Sequence, residues 1–184
     1  MTQGTAEVSL QPAGTCSRAE ASSMSFESEL RGVATAATTA LVVANPVLRD
    51  YAYYSALLGF KVLALGPLTA RQRFRKKVFV NPEDSKFFDG SLKQDDPDVE
   101  RVRRAHRNDL ENIPVFMLIG GLYTLTNPDR ELALNLYRGY FAFRLAHTIV
   151  YAVYPVPQPA RALCHFGALS ICVFMGFKVL KFFY

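Results

Sequence analysis

The chain has 184 residues, of which 50% are hydrophobic and 20% charged, and its formal net charge is +5. This length suits one domain with a short appendage, and 14 Phe and 9 Tyr exclude a wholly disordered chain. The three cysteines, at positions 16, 164 and 172, are too few and too scattered for a disulfide framework and match no zinc spacing, so no metal site is predicted.

The N-terminal part differs in composition from the rest. Residues 1–45 are rich in Ala, Ser, Thr and Gly, which predicts a largely disordered extension ahead of a domain at residues 46–184. Residues 32–44 resemble the core of a signal peptide. Glu27 and Glu29 precede them where a cationic region is expected, so an uncleaved extension is favoured.

Apolar segments recur through the remainder of the chain. A helix needs about 20 residues to cross the hydrocarbon core of a bilayer. Four segments reach this length, the second of them only if the amphipathic segment 97–111 extends it. They are 51–70, 112–126, 131–154 and 160–184. The sequence therefore predicts an all-α integral membrane protein built as a four-helix bundle.

Helix starts are marked by a capping residue followed by proline, which is favoured at the first helical position. Asn81-Pro82 repeats the pattern and predicts a short helix or ordered turn, while Pro114 predicts a kink. The three pairs that predict long helices are Asn45-Pro46, Asp96-Pro97 and Asn127-Pro128.

Positive charge is concentrated between the first two apolar segments. Residues 71–107 hold 11 of the 21 Lys and Arg residues. The positive-inside rule places this basic loop in the cytosol, and four spans then place both termini on the opposite side. The loop lacks the interleaved aromatic residues of a single-strand binding groove, so no nucleic-acid partner is predicted.

Polar residues within the apolar segments form two helical stripes. A charged side chain costs about 2.5–3.5 kcal/mol at the centre of a membrane helix, so charged and polar residues there usually face the interior of a bundle. The first stripe is Arg104, Arg107, Asn108 and Glu111, the second is Tyr140, Arg144, His147 and Tyr151, and single cations are Lys61 and Arg161. Together they predict a cationic pocket with one carboxylate and several phenols. The alternative is a set of structural ion pairs between helices.

A pocket of this charge favours a small ligand with more negative than positive charge. A tripeptide with two carboxylates, an ammonium and a thiol fits, since arginines bind carboxylates through forked hydrogen bonds and Glu111 pairs with the ammonium. A remaining cation near the sulfur favours the thiolate. Glutathione meets this description, although the spacing alone does not name it.

Three segments of the chain are distinctive: RKKVFVNPED (75–84), DPDVERVRRAHRNDLENIPVF (96–116) and FRLAHTIVY (143–151). They resemble one known family, the membrane-associated proteins in eicosanoid and glutathione metabolism. The resemblance covers residues 47–184. VPQPARAL (156–163) is similar to the glutathione-transferase branch of that family.

The resemblance implies a homotrimer in the membrane, with glutathione between subunits near the cytosolic face. It implies conjugation of glutathione to hydrophobic electrophiles and reduction of lipid hydroperoxides. The expected location is the endoplasmic reticulum membrane, with the mitochondrial outer membrane left open as the alternative. Arg161 is expected to be catalytic by stabilising the thiolate. The residues expected to bind glutathione are Lys61, Arg73, Arg104, Arg107, Asn108, Glu111, His147 and Tyr151.

Three positions depart from the patterns of the family. Ala162 stands where the prostaglandin E synthase branch has serine, Ser85 where close transferases have cysteine, and His165 where relatives have an aromatic residue. The first departure counts against a glutathione-dependent prostaglandin-endoperoxide isomerase, which is the nearest alternative function. A non-enzymatic lipid-binding scaffold of the same architecture is the alternative from another class.

Overall fold

The computed structural model describes residues 18–184, and they are predominantly helical. Helix α1 (Arg18–Ala44) forms a unit of its own, and its described side chains are exposed. The predicted disorder of residues 1–45 lies partly outside the described residues, since residues 1–17 are not among them. The division of the chain into an extension and a domain stays a prediction.

The second unit, Asn45–Tyr184, contains all other elements. The bounds are α2 Pro46–Lys76, β1 Val78–Phe79, α3 Pro82–Phe87, β2 Ser91–Leu92, α4 Pro97–Thr124, α5 Arg130–Thr148, a π-helical segment Ile149–Val153, and α6 Ala160–Phe183. Segment 51–70 lies within α2, and each of the other three ends no more than two residues beyond α4, the π-helical segment that continues α5, or α6. The predicted all-helical character is confirmed.

The four long helices of this unit pack through a core of large side chains. Helix α2 contacts α4 and α5, and α6 contacts the same two helices from another side. Leu58, Phe116, Tyr137 and Met175, one from each long helix, are fully buried. Phe116 also stacks on Tyr140, with ring centroids 3.9 Å apart. Aromatic packing therefore contributes a large share of the core between α4 and α5.

The starts of α2 and α4 follow the prediction. The Asn45 side chain accepts hydrogen bonds from the backbone N–H groups of Val47 (3.0 Å) and Leu48 (3.1 Å). Asp96 caps α4 in the same way, accepting from Asp98 at 3.1 Å. Both caps satisfy backbone donors that a helix leaves unpaired at its first turn.

The predicted start of α5 is wrong by two residues. Asn127 has a positive φ of 48° and lies in the connection, and Asp129 is the capping residue instead. The Asp129 carboxylate accepts from the backbone N–H of Leu132 at 2.9 Å. Asn and Asp have equal capping preference and lie two residues apart here. The tight turn after α4 contains a left-handed backbone position, which Asn127 occupies, so Asp129 caps the helix.

The loop between α2 and α4 is an ordered miniature unit. Strands β1 and β2 pair in parallel, Val78 with Ser91 and Phe79 with Leu92, and α3 connects them, as the Asn81-Pro82 pair predicts. Gly90 packs so closely on Phe79 that a Cβ atom there would lie 2.5 Å from the ring and 2.8 Å from the carbonyl oxygen of Lys77. The loop therefore requires glycine at this position.

An ion pair joins the two ends of the loop. Lys76 Nζ, in the last turn of α2, lies 2.7 Å from Asp98 Oδ2 in the first turn of α4. The hydrogen bond from Lys76 lowers the pKa of Asp98 below its ordinary value. The pair is partly exposed, so its contribution to stability is small.

One helix in the described part of the chain is long and apolar enough to cross a membrane, judged by length and composition. It is α6, Ala160–Phe183, and only 17% of the residues in its most apolar stretch are buried. A helix with so much uncovered apolar surface suits a lipid environment rather than the core of a soluble domain.

Candidate functional site

A cleft of about 320 Å³ opens where α4, the π-helical segment and the start of α6 meet. Its walls carry cationic and hydrogen-bonding side chains, and no carboxylate of the described residues lines it. The lining residues are Asn108, His147, Tyr151, Gln158, Arg161, Ala162, His165 and Phe166. The cleft is therefore electrostatically suited to an anion.

Arg161 is the principal charge in the cleft. Its guanidinium carbon lies 4.7 Å from the centroid of the Tyr151 ring, which is a cation–π contact. Its Nε is buried and has no hydrogen-bond partner among the described residues. The guanidinium is thus held in place by an aromatic face and keeps donors for a ligand.

The backbone brings Tyr151 and Arg161 together through an irregular connection. The chain leaves α5 through the π-helical segment, in which Tyr151 lies, and His147 one turn earlier is 5.5 Å from Tyr151 between ring centroids. After the connection, the Gln158 side chain accepts from the backbone N–H of Ala162 at 3.3 Å. Short π-helical segments are often found at functional sites.

Behind the cleft lies a buried charge network centred on Asp109. The carboxylate of Asp109 is fully buried and forms ion pairs with both Lys61 and Arg144. Thr148 Oγ1 donates to the same carboxylate at 3.4 Å. Arg144 Nη2 also donates to Asn108 Oδ1 at 2.9 Å, which connects the network to the wall of the cleft.

The structure brings together four of the predicted site residues. Asn108, His147, Tyr151 and Arg161 all line the cleft. They come from four elements, α4, α5, the π-helical segment and α6, so the site depends on how these elements pack together.

The other predicted site residues lie elsewhere in the single chain. Lys61 is in the interior, paired with Asp109. Arg104, Arg107 and Glu111 project from α4 and are exposed. Arg73 lines a separate cavity of about 280 Å³, together with residues of the loop between α2 and α4.

Asp109 and Gln158 were not predicted at the site, and Arg144 was predicted in a polar stripe of the pocket but not among the residues that bind glutathione. The burial of Asp109 could have been predicted from the sequence, because Asp109 continues the buried face of α4 at helical spacing. The other members of that face are Val102, Ala105, Ile113 and Phe116. A carboxylate in an otherwise apolar helical face predicts a buried partner of opposite charge. Gln158 carried no comparable signal, since it lies in an irregular connection.

Comparison with known proteins gives the evolutionary context of this site. The model of the MAPEG family matches residues 51–181, which include every residue of the cleft and of the charge network. The chain belongs to the MAPEG family. Its members are membrane proteins, and this chain is therefore one as well.

Individual relatives within the MAPEG family cover most of this chain. Microsomal glutathione S-transferase 1 of Rattus norvegicus is 42% identical over 142 residues, covering 74% of this chain and 91% of the relative. The Homo sapiens protein of the same name is 40% identical over 146 residues (76% and 93%). Prostaglandin E synthase of Homo sapiens is 35% identical over 141 residues (76% and 92%). The transferases are the more similar of these two groups.

Proposed function

We propose that this protein is a membrane-bound glutathione transferase that conjugates the thiolate of glutathione to hydrophobic electrophiles. The observation that carries the proposal is Arg161, a cation with an unpaired buried donor in a cleft with no carboxylate among the described lining residues. The similarity to microsomal glutathione S-transferase 1 supports the same function. The aligned residues cover 91% and 93% of the two relatives of that name.

Arg161 has the catalytic role in this proposal. A guanidinium close to the thiol of bound glutathione favours the thiolate, which is the nucleophilic form. Asn108, His147 and Tyr151 bind the tripeptide in the same cleft, and all three carry groups that hydrogen-bond with its peptide and carboxylate oxygens. The protein thus contributes positioning and anion stabilisation, and no covalent enzyme intermediate is needed.

A homotrimer accounts for the remaining predicted residues. Arg104, Arg107 and Glu111 are exposed on α4 next to the exposed apolar residues Leu110 and Val115. Charges beside apolar surface are costly in a lipid environment unless they face a polar partner. A neighbouring subunit that places its own cleft against this face satisfies them, and glutathione then lies between subunits. Arg73 completes the site from the loop side, with Lys61 acting from behind.

The transfer step follows from these roles. The sulfur of the thiolate attacks an electrophilic carbon, forming a C–S bond while a leaving group such as chloride departs with the bonding electrons. The thiol proton is released to water before attack. With a lipid hydroperoxide, sulfur attacks oxygen instead, and two glutathione molecules yield the disulfide, an alcohol and water.

The membrane arrangement that we propose has α2, α4, α5 and α6 as four spanning helices. The basic loop 71–107 then faces the cytosol, and an apolar electrophile enters from the bilayer. We propose the endoplasmic reticulum membrane as the location, because the names of the relatives contain the word microsomal. The mitochondrial outer membrane is the second proposed location.

The detergent-solubilised protein provides the test. Glutathione is added and thiolate absorbance is followed in the ultraviolet, after which 1-chloro-2,4-dinitrobenzene is added and the conjugate is followed. A thiolate signal and then conjugate formation are expected. The matched control is Arg161→Ala, which removes the cation while leaving the exposed face of α4 intact.

The outcomes separate the candidate functions. A thiolate signal without conjugate favours the glutathione-dependent endoperoxide isomerase, because relatives named prostaglandin E synthase share 35% identity with this chain. No thiolate signal from a folded protein excludes the catalytic function and favours a lipid-binding scaffold.

A further inference from the structure

The hydrogen bond between Arg144 and Asn108 determines which way the Asn108 amide faces. A guanidinium has donors and no acceptor, so only the amide oxygen of Asn108 can bond with it. Arg144 Nη2 lies 2.9 Å from Asn108 Oδ1, in agreement with this requirement. The amide NH₂ group is then the end of the side chain left free for other partners.

We propose that Arg144 is a positioning residue, which holds the Asn108 amide as a hydrogen-bond donor to glutathione. The inference rests on the proposed function, because Asn108 lines the cleft in which glutathione is placed. The acceptor is a peptide or carboxylate oxygen of the tripeptide. Arg144 does not line the cleft, and its effect passes through Asn108.

The surroundings of Arg144 keep it in this position. Its side chain is fully buried, and its ion pair with Asp109 holds the guanidinium against α4. Asp109 is itself held by Lys61 from α2 and by the hydroxyl of Thr148. A rotation of Arg144 would break a buried ion pair and leave the Asp109 charge poorly compensated, which is strongly unfavourable. The orientation of the Asn108 amide therefore depends on Arg144 and on the groups that hold it in place, which are Asp109, Lys61 and Thr148.

The network also explains why asparagine suits position 108 better than aspartate. An aspartate would accept from Arg144 equally well, but its second oxygen would face the ligand as an acceptor. Glutathione presents carboxylate and carbonyl oxygens, which need donors. A donor of fixed direction adds affinity because no rotation has to be restrained when the ligand binds.

The first test is Asn108→Asp, compared with Asn108→Ala, with glutathione binding measured by equilibrium dialysis. Asn108→Asp preserves the contact with Arg144 and the shape of the side chain. We expect glutathione affinity to fall about tenfold or more, at least as far as in Asn108→Ala, because a donor becomes an acceptor. Binding by Asn108→Asp equal to that of the unmodified protein overturns the proposal.

The second test is a double-mutant cycle between positions 144 and 108. In Arg144→Gln the new side chain both donates and accepts, so the Asn108 amide is no longer restricted to one orientation. We expect Asn108→Ala to weaken binding much less in the Arg144→Gln background than in the unmodified protein. The control cycle pairs Arg144→Gln with Arg161→Ala, for which the effects on binding should add.

Full additivity between Arg144→Gln and Asn108→Ala overturns the positioning role. If Arg144 were purely structural, Arg144→Gln would weaken glutathione binding by the same factor whether position 108 is Asn or Ala. If Arg144→Gln fails to fold, the comparison of Asn108→Asp with Asn108→Ala still tests the donor role of Asn108 on which the proposal depends, and unchanged binding by Asn108→Asp overturns it. Failure of the unmodified protein to bind glutathione overturns the proposed function together with this inference. Normal binding with additive variants overturns the inference only.

Discussion

The guanidinium of Arg161 lies over the ring of Tyr151, 4.7 Å from its centroid. This contact joins the first turn of α6 to the π-helical segment that follows α5. An aromatic face attracts a cation without neutralising it, whereas a carboxylate would cancel its charge. Arg161 is thereby positioned and still able to stabilise an anion.

Substitutions at Tyr151 test this contact. Tyr151→Phe keeps the aromatic face and should retain most of the turnover, whereas Tyr151→Leu should lower kcat by about fivefold to thirtyfold, the equivalent of a cation–π contact. The conjugation rate with saturating glutathione is the measurement. Equal activity of the two variants would show that the ring does not position Arg161.

Arg161 itself should affect turnover more than binding. We expect Arg161→Ala to lower kcat by about 100-fold, as for loss of an anion-stabilising donor, and to weaken glutathione binding far less. Arg161→Lys keeps the charge and should recover part of the rate. Steady-state kinetics and direct binding on the same preparations separate the two effects, and unchanged kcat in Arg161→Ala would contradict the catalytic role.

The charge network around Asp109 should respond unequally to loss of its members. Asp109→Asn leaves Lys61 and Arg144 as two buried cations without a carboxylate, and should lower the free energy of unfolding by about 3–5 kcal/mol. Lys61→Met leaves the pair of Arg144 and Asp109 intact and should cost less than about 2 kcal/mol. Thermal unfolding in lipid–detergent micelles compares the variants. The opposite order would show that Lys61 is the essential partner.

Gly90 should be essential to the loop between α2 and α4. A Cβ at this position meets both the Phe79 ring and the Lys77 carbonyl, so Gly90→Ala should separate β1 from β2 and expose the loop. Rapid cleavage by trypsin near Lys86 and Lys93 is the expected result. Gly66→Ala in α2 is the control, since its added Cβ meets nothing within 4 Å beyond its chain neighbours and the nearby backbone of its own helix. Equal cleavage of the two variants would rule out this packing role.

The chain contains no tryptophan, so single Trp substitutions report on the membrane position of each helix. Phe60 in α2 and Phe177 in α6 are 70% and 67% exposed in the single chain, and Phe87 in α3 is 82% exposed. Phe60→Trp and Phe177→Trp should emit at short wavelength and be quenched by brominated lipid tails. Phe87→Trp, in the loop, should emit at longer wavelength. Strong accessibility of Trp at position 60 to aqueous iodide would exclude α2 as a spanning helix.

The long helices were predictable because length, apolar content and capping residues agree. Asn45 and Asp96 mark helix starts, and both side chains form the expected bonds. The start of α5 was not predictable to the residue, since Asn127 and Asp129 have similar capping preference and the turn geometry selects between them. Local chemistry thus predicts the existence of a helix better than its first residue.

The candidate site was predictable only in part, because helical spacing shows which residues share a face but not what that face meets. His147 and Tyr151 were expected in one stripe with Arg144, yet Arg144 turns inward to Asp109 while the other two line the cleft. Lys61 was expected at the site for its charge, and its ion pair with Asp109 places it behind the cleft. Ion pairs between different helices determine where the Arg144 and Lys61 side chains lie. Residue spacing within one helix cannot predict such pairs.

The π-helical segment Ile149–Val153 acts as a register shift in the chain. A π turn accommodates one residue more than an α turn, so a side chain within it points in a different direction from the one that a continuous α-helix would give it. Tyr151 lies inside this segment, where its ring meets Arg161. Removing one residue here would let the α-helix continue and turn that ring away from the cleft. The position of the Tyr151 ring therefore depends on the number of residues in the π-helical segment. A one-residue deletion there would displace the ring more than any conservative replacement would.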